Sequence, residues 1–390
     1  MRRHGNCLNF KIISINYHYF KINVYKYIFC IVVKMSDSGF CILDLLTEQN
    51  EQTEQNEQTV KTGGVTTYQS DHSSPVAKDS TISKLIPEQI SECAVYLNKP
   101  LGTPCSSEQT IQMIGETLNI TGDNKEIINS AKEKLGCENE RCVLGKLTQQ
   151  LSEQRVKHEI NTNLKVKGPA DNKLLSNVHI DSTLRQWANV YKDFFPYNFN
   201  MLNYASYAYD NGYILNHPDT LATIQFTDLY YGMDGKKYKR AACIINTDTY
   251  QGEGKHWMAL FADASQNDRW TVEFFNSSGN APAPEWVSWL VKTKIGMEMI
   301  LEREKKSIPI EIMKVSDIRH QQSRTECGLY SLFYVWARLH GVPPEYFMEK
   351  PVPDQLMFEF RQHLFEDPNH KIVGKFNWSE YKNKISVKWE

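Results

Sequence analysis

The sequence predicts an α+β fold: a central mixed sheet held between helices, preceded by a small domain built of helices alone. Three observations lead there. Short segments rich in β-branched and aromatic residues, "RAACIINTD", "HWMALFAD", "RWTVEFFN" and "IPIEIMKV", recur in the C-terminal half and are flanked by helical stretches. Upstream, between 85 and 160, apolar residues recur at helical spacing. Ahead of both lies polar, repetitive sequence unable to form a core.

Residues 1–34 are foreign to the rest, with six Lys/Arg and no acid. Their apolar part, "YIFCIVV", is bounded by lysines and falls short of the roughly 18 apolar residues of a membrane-spanning helix. A basic region before a short apolar one partly meets the description of a signal peptide, but no small-residue cleavage site follows. The segment reads as an extended start upstream of Met35, outside the fold. Residues 35–84 carry "TEQNEQTEQNEQT" and a Ser/Thr/Gly-rich run, and read as a disordered tail. Within that tail, Gly63-Gly64-Val65 is either plain linker composition or a site the protein cuts in itself.

Order is expected from about Leu85. "PEQISECAVYLN" and "CSSEQTIQMIGETLN" have helical spacing, the second with Ser106 or Ser107 as N-cap, and "NKEIINSAKEKLG" ends at Gly136. These make a helical arm domain over 85–160. Cys137 and Cys142 have no second pair to complete a zinc site, so they are expected as buried or capping thiols. "VKHEINTNLKVKGPADN" reads as the connection to a second domain, 161–390. There "LLSNVHIDSTLRQWANVY" predicts a turn and an amphipathic helix, "APEWVSWLVKTK" another helix, and "CGLYSLFYVWARLHG" the most apolar helix, ended by Gly341.

Composition sets limits on function. With 390 residues, 41% hydrophobic, the chain can bury one large core and a smaller one, and a net charge of −2 excludes a protein cationic throughout. The basic run "DGKKYKR", with Lys236, Lys237, Lys239 and Arg240, lies at a turn and supports at most weak, salt-sensitive nucleic-acid binding. Nine cysteines spread over a long chain suggest reduced thiols and an intracellular protein.

One cysteine has a setting that suggests chemistry. In "RHQQSRTECGLYSLFYVW", Cys327 stands at the junction of a polar run and an apolar helix, where backbone N–H groups and the positive end of the helix dipole favour a thiolate. His256 opens the strand "WMALFA" after the turn-like "QGEGK", a place from which its ring can face a cleft. A hairpin turn centred on Gln266 would put position 276 opposite it. That residue is Asn276, whose carboxamide oxygen is expected to accept the imidazole Nδ1–H and leave Nε2 for the thiol. Asp263, at about 3.3 Å per residue, is too far along the same strand and belongs to the turn. An oxyanion hole needs a second donor besides the Cys327 N–H, and Gln321 and Gln322 are both available.

Taken together, His256-Trp257, a strand ending at Asn276, and Gln321 six residues before Cys327 in "HQQSRTECG" resemble the cysteine proteases that include adenovirus endoprotease and the ubiquitin-like-protein-specific proteases. "FFNSSG" and "HQ" followed by "ECG" are most similar to the polyprotein proteases of large cytoplasmic DNA viruses, the African swine fever virus enzyme and its relatives, with the vaccinia core protease more distant. The resemblance implies a papain-like or adenain-like core over about 174–370. It implies Cys327 as nucleophile, His256 as general base, Asn276 orienting the imidazole where many members have Asp, and Gln321 completing the oxyanion hole. Trp257 resembles the family's roof over a narrow substrate channel, although an aromatic at a strand start also suits a core role. The resemblance implies cleavage after Gly-Gly, for which residues without Cβ passing beneath an indole would be the physical reason. The resemblance further implies processing of structural polyproteins in the host cytoplasm and virion core, or else removal of ubiquitin-like modifiers; acetyl transfer and an idle core scaffold are alternatives from other classes. No cofactor, metal or membrane span is expected, and the protein is expected to be a monomer.

Overall fold

The computed structural model describes residues 80–170, 172–205, 220–233, 235–367 and 373–381. The segments 1–34 and 35–79, with Gly63-Gly64-Val65, lie outside the described residues.

The first part of the described chain is helical: α1 (Glu108–Leu118), α2 (Asn124–Leu135), α3 (Glu140–Lys146) and α4 (Glu153–Asn163). Each start is set by a side chain that accepts an otherwise unpaired N–H. Ser107 caps α1, Asp123 and Glu126 form a capping box on α2, and Asn139 caps α3. Gly136 closes α2 at φ 60°, a conformation that favours a residue without Cβ. Ile111, Ile114, Ile128, Val143, Leu144 and Val156 make one apolar cluster.

Three expectations fail in this region. "PEQISECAVYLN" is not a helix: Gln89–Ile90 forms a strand antiparallel to Gly374–Lys375, and only Val95–Leu97 coils, as a 3-10 turn. Its Cys93 is bonded to Cys105, with Cα atoms 5.1 Å apart, which draws the segment away from helical geometry. Cys137 and Cys142 are likewise bonded to each other across the turn between α2 and α3, so the thiol reading of these four cysteines is corrected; among the described residues Cys243 and Cys327 are free. The supposed connection, 156–172, begins inside α4, which runs on to Asn163 and whose Glu159 is buried and accepts from Ser107, Thr110 and Asn163. Long-range pairing to those groups supplies what local propensity lacked.

The second part is a five-stranded sheet in sequential order: β1 (Phe194–Pro196), β2 (Arg240–Asn246), β3 (Trp257–Asp263), β4 (Trp270–Phe275) and β5 (Ile310–Val315). β1 pairs parallel to β2, the two middle pairs are antiparallel, and β4 pairs parallel to β5, so the sheet is mixed. β3 and β4 are buried at every position. Strand periodicity divides them: Ala259, Phe261 and Phe275 face one core, whereas Met258, Leu260, Val272 and Phe274 face another. Helix α5 (Asn177–Ala188), the helix α7 (Cys327–Leu339) and α8 (Asp354–Leu364) fill the first core, and α6 (Pro284–Glu304) the second. The parallel β4–β5 pair requires a crossover, which α6 provides. β1 went unread because Pro196 and three residues give almost no strand signal.

Every residue of α7 is buried, which explains its unbroken apolar run. Its one basic side chain, Arg338, donates to Glu273 of β4 through Nε and Nη2, and lies 3.5 Å from Asp263. Asp263 is therefore the last residue of β3, buried in an ion pair, and not a turn residue as expected. Among the described residues, no helix is long and apolar enough to cross a membrane. Arg240, from the basic run, is an ion-pair partner of Asp193 and donates to the Leu339 carbonyl, so it is not an open cation.

Candidate active site

The loop before β3 is tied down before it delivers His256. Asn246 Oδ1 accepts from the N–H groups of Asp248 and Lys255, Asp248 accepts from Gly254 N, and Thr247 N donates to the His256 carbonyl. His256 then lies at the head of the sheet. Asn276 follows β4 directly, and its Oδ1 is 2.8 Å from His256 Nε2.

That pairing arises in a different register from the one expected. Ala259 pairs with Phe275 and Leu260 with Phe274, so the hairpin is centred one residue later than Gln266 and Asn276 lies diagonally across from His256. A slip of two positions keeps every side chain on its own face, and diagonal neighbours remain in reach of a long side chain. The ring is also turned the other way. The backbone N–H of Ser278 donates to Asn276 Oδ1 and Asn276 Nδ2 donates to the Asn280 carbonyl, so the oxygen end of the amide must face the imidazole. Nε2 therefore carries the hydrogen, and Nδ1, not Nε2, holds the lone pair.

Cys327 is the first residue of α7. Its sulfur is approached by the N–H groups of Trp257, Gly328 and Cys327 itself, which places it at the start of β3 beside the residue that follows His256. These donors favour the thiolate, yet burial outweighs them and, with help from the Glu326 carboxylate, pushes the thiol up to about 11. The expectation of a resting thiolate is thus corrected. Burial also lowers the His256 imidazole, and the Asn276 hydrogen bond offsets this only in part. Burial thus favours the neutral form of each group, the thiol at Cys327 and the unprotonated imidazole at His256.

Of the two glutamines, the fold buries Gln321 and exposes Gln322. Gln321 Oε1 accepts from Ser277 Oγ at 2.9 Å, and its Nε2 donates to the Ser323 carbonyl at 2.6 Å. The loop carrying it is clamped. Asp354 accepts from Gln322 N, Ser323 N, Ser323 Oγ and the Tyr330 hydroxyl, while the Ser277 carbonyl accepts from His320 N and Gln321 N. Glu326, just before Cys327, is fully buried against Arg361 of α8 at 2.9 Å. Sequence reasoning missed Ser277, Asp354, Glu326 and Arg361. Ser277 and Glu326 had a signal, their places beside Asn276 and Cys327; Asp354 and Arg361 lie on α8 and meet the site through packing alone.

Trp257 is 8% exposed, its indole N–H donating to the Leu175 carbonyl at 3.0 Å and its ring meeting Phe199 edge to face. Gly328 faces Leu175 so closely that a Cβ would come within 3.2 Å of that side chain, which would have to shift by a few tenths of an ångström to admit it.

No protein-family model matches the chain. It is 38% identical over 243 residues to the cysteine protease of a Malawi tick isolate of African swine fever virus, covering 60% of this chain and 85% of that protein. Identity and coverage are the same for a protein of a South African tick isolate named a SUMO-1 cysteine protease. The crystal structure of the African swine fever virus protease aligns at a TM-score of 0.55 with 30% identity, covering 73% of this chain and 98% of that one. Sequence identity over most of these relatives' length and a shared fold lead to one conclusion: the chain is a cysteine protease and belongs to the African swine fever virus cysteine-protease family.

Proposed function

We propose that this protease cleaves after Gly-Gly in Gly-Gly-X sites, with Cys327 as nucleophile, His256 as general base, Asn276 orienting the imidazole, and Gln321 with the Cys327 N–H as oxyanion hole. The observation that carries this reading is the joint placement of the thiol at the start of α7 and the His256–Asn276 pair at the head of the sheet. His256 Nδ1 takes the thiol proton as sulfur attacks the scissile carbonyl, and returns it to the leaving amine. The Gly-Gly preference rests on the family likeness of Trp257, whose indole N–H is held by the Leu175 carbonyl at 3.0 Å and would leave little room for a larger side chain. Processing of structural polyproteins during particle maturation, in host cytoplasm and virion core, remains the leading role. Deconjugation of ubiquitin-like modifiers is the second reading, favoured by the name SUMO-1 cysteine protease carried by a relative.

Incubation with a Gly-Gly-X peptide is expected to give cleavage after the second glycine, absent with Cys327→Ala and with an Ala-Ala-X peptide. Equal cutting of both peptides would overturn the specificity. A ubiquitin-like precursor offered beside the peptide separates the two roles.

The preference of His256 for its neutral form makes a pH prediction. Activity needs His256 unprotonated, so kcat/KM should fall on the acid side with a midpoint below the ordinary histidine value of about 6.5. In Asn276→Asp a carboxylate would stabilise imidazolium, raise the His256 pKa and move that midpoint to higher pH. A profile that stays put would remove Asn276 from the orienting role.

A further inference from the structure

We propose that Ser277 is a positioning residue that sets which end of the Gln321 amide faces the reaction, so that the tetrapeptide Asn276–Gly279 aligns the general base and the oxyanion hole together. This rests on the reading of Gln321 as the oxyanion donor.

A glutamine amide has an acceptor end and a donor end of nearly the same shape, and only the donor end stabilises an oxyanion. If the amide turned over, it would set a carbonyl oxygen against the developing negative charge. Orientation is therefore a chemical requirement on this residue, and two contacts supply it. The Ser277 hydroxyl donates to Oε1 at 2.9 Å, and the Ser323 carbonyl accepts from Nε2 at 2.6 Å. Of the two amide hydrogens, Ser323 takes one and the other remains for a substrate oxygen. Ser277 is fully buried, so water does not replace its hydroxyl.

The same short segment holds the base. Asn276 Oδ1 meets His256 Nε2 and also accepts from the N–H and hydroxyl of Ser278, which keep the amide of Asn276 from turning over in its own right. The Ser277 carbonyl accepts from His320 N at 2.9 Å and Gln321 N at 3.0 Å, joining the end of β4 to the loop before Cys327. Gly279 permits that approach. Its φ is +79°, and a Cβ there would come within 3.1 Å of Arg319 N. A displacement of this turn would therefore disturb both His256 and Gln321.

The test measures kcat and KM on the Gly-Gly-X peptide for Ser277→Ala, Gln321→Ala and the double variant of the full chain. Gln321→Ala should lower kcat by about 100-fold. Ser277→Ala should lower kcat by about 10-fold with KM little changed, the rate equivalent of one hydrogen bond. The double variant should be no slower than Gln321→Ala, because Ser277 acts through that amide. If Ala at 277 fails to fold, Ser277→Thr and Ser277→Val, equal in size and differing in the hydroxyl, make the same comparison, and Thr should be the faster. A Ser277→Ala enzyme with full kcat beside a crippled Gln321→Ala would overturn the proposal alone, as would multiplied losses in the double variant. A harmless Gln321→Ala would instead remove the oxyanion reading and this proposal with it.

Discussion

His256→Ala is expected to cut peptide turnover by about 10⁴-fold and to leave a residual rate that climbs about tenfold per pH unit above neutrality. The size follows from the resting thiol. With its pKa near 11, roughly one Cys327 in ten thousand is ionised at pH 7, and an enzyme without its base has only that fraction to attack with. Hydroxide then takes over the work of the imidazole, which gives the residual rate its slope. Cys327→Ala removes the nucleophile and should show no residual rate and no slope, while Asn276→Ala should be milder than either, since it loosens the imidazole without removing it. Steady-state rates from pH 6 to 9 check all three variants. A His256→Ala profile as flat as that of Cys327→Ala would mean that the remaining activity does not arise from this thiol.

Arg361→Ala should destabilise the fold by about 3–5 kcal/mol, the cost of leaving a buried carboxylate unpaired. Glu326 and Arg361 form a two-pronged pair, with Nη2 2.9 and 3.0 Å from the two carboxylate oxygens, and neither side chain is more than 3% exposed. Burial already raises the Glu326 pKa, and Arg361 counters it. Without the arginine, the folded variant should hold a proton on Glu326 that the unfolded chain releases at ordinary carboxylate pKa. The variant therefore gains stability as pH falls through the folded pKa, and its deficit is largest above it. Urea midpoints at several pH values measure this. Glu326→Leu combined with Arg361→Leu should recover much of the loss, because no charge is then left buried. A deficit independent of pH would assign the loss to packing, including the Arg361 bond to the Lys173 carbonyl at 3.2 Å.

The Glu326–Arg361 pair also bears on catalysis. Glu326 precedes the nucleophile and pushes its pKa up, so an unpaired carboxylate there would make the thiol still harder to ionise. In folded Arg361→Ala this effect should be confined to pH above the raised Glu326 pKa, where the carboxylate is charged, and activity should fall there.

What the sequence determined by itself was local in character. The polar-to-apolar change at Cys327 announces a buried helix with a thiol at its head, and that is how α7 begins. His256 at a strand start and Asn276 at a strand end could be matched by counting from the turn; the count was off by two positions and still found the right partner, because a strand repeats its facing every second residue. The four strands of the C-terminal half were legible for the same reason. Tertiary structure alone decided the rest. Whether Cys327 rests as thiol or thiolate depends on how completely α7 is enclosed, and which imidazole nitrogen keeps its lone pair depends on the Ser278 and Asn280 contacts that orient Asn276. The Cys93–Cys105 bond, the Ser277 contact that sets Gln321 apart from Gln322, and the clamps by Asp354 and Arg361 join residues 12 to 44 positions apart. Such pairings leave no periodic trace in a sequence, since they form only when packing brings the elements together and burial makes each unpaired polar group costly.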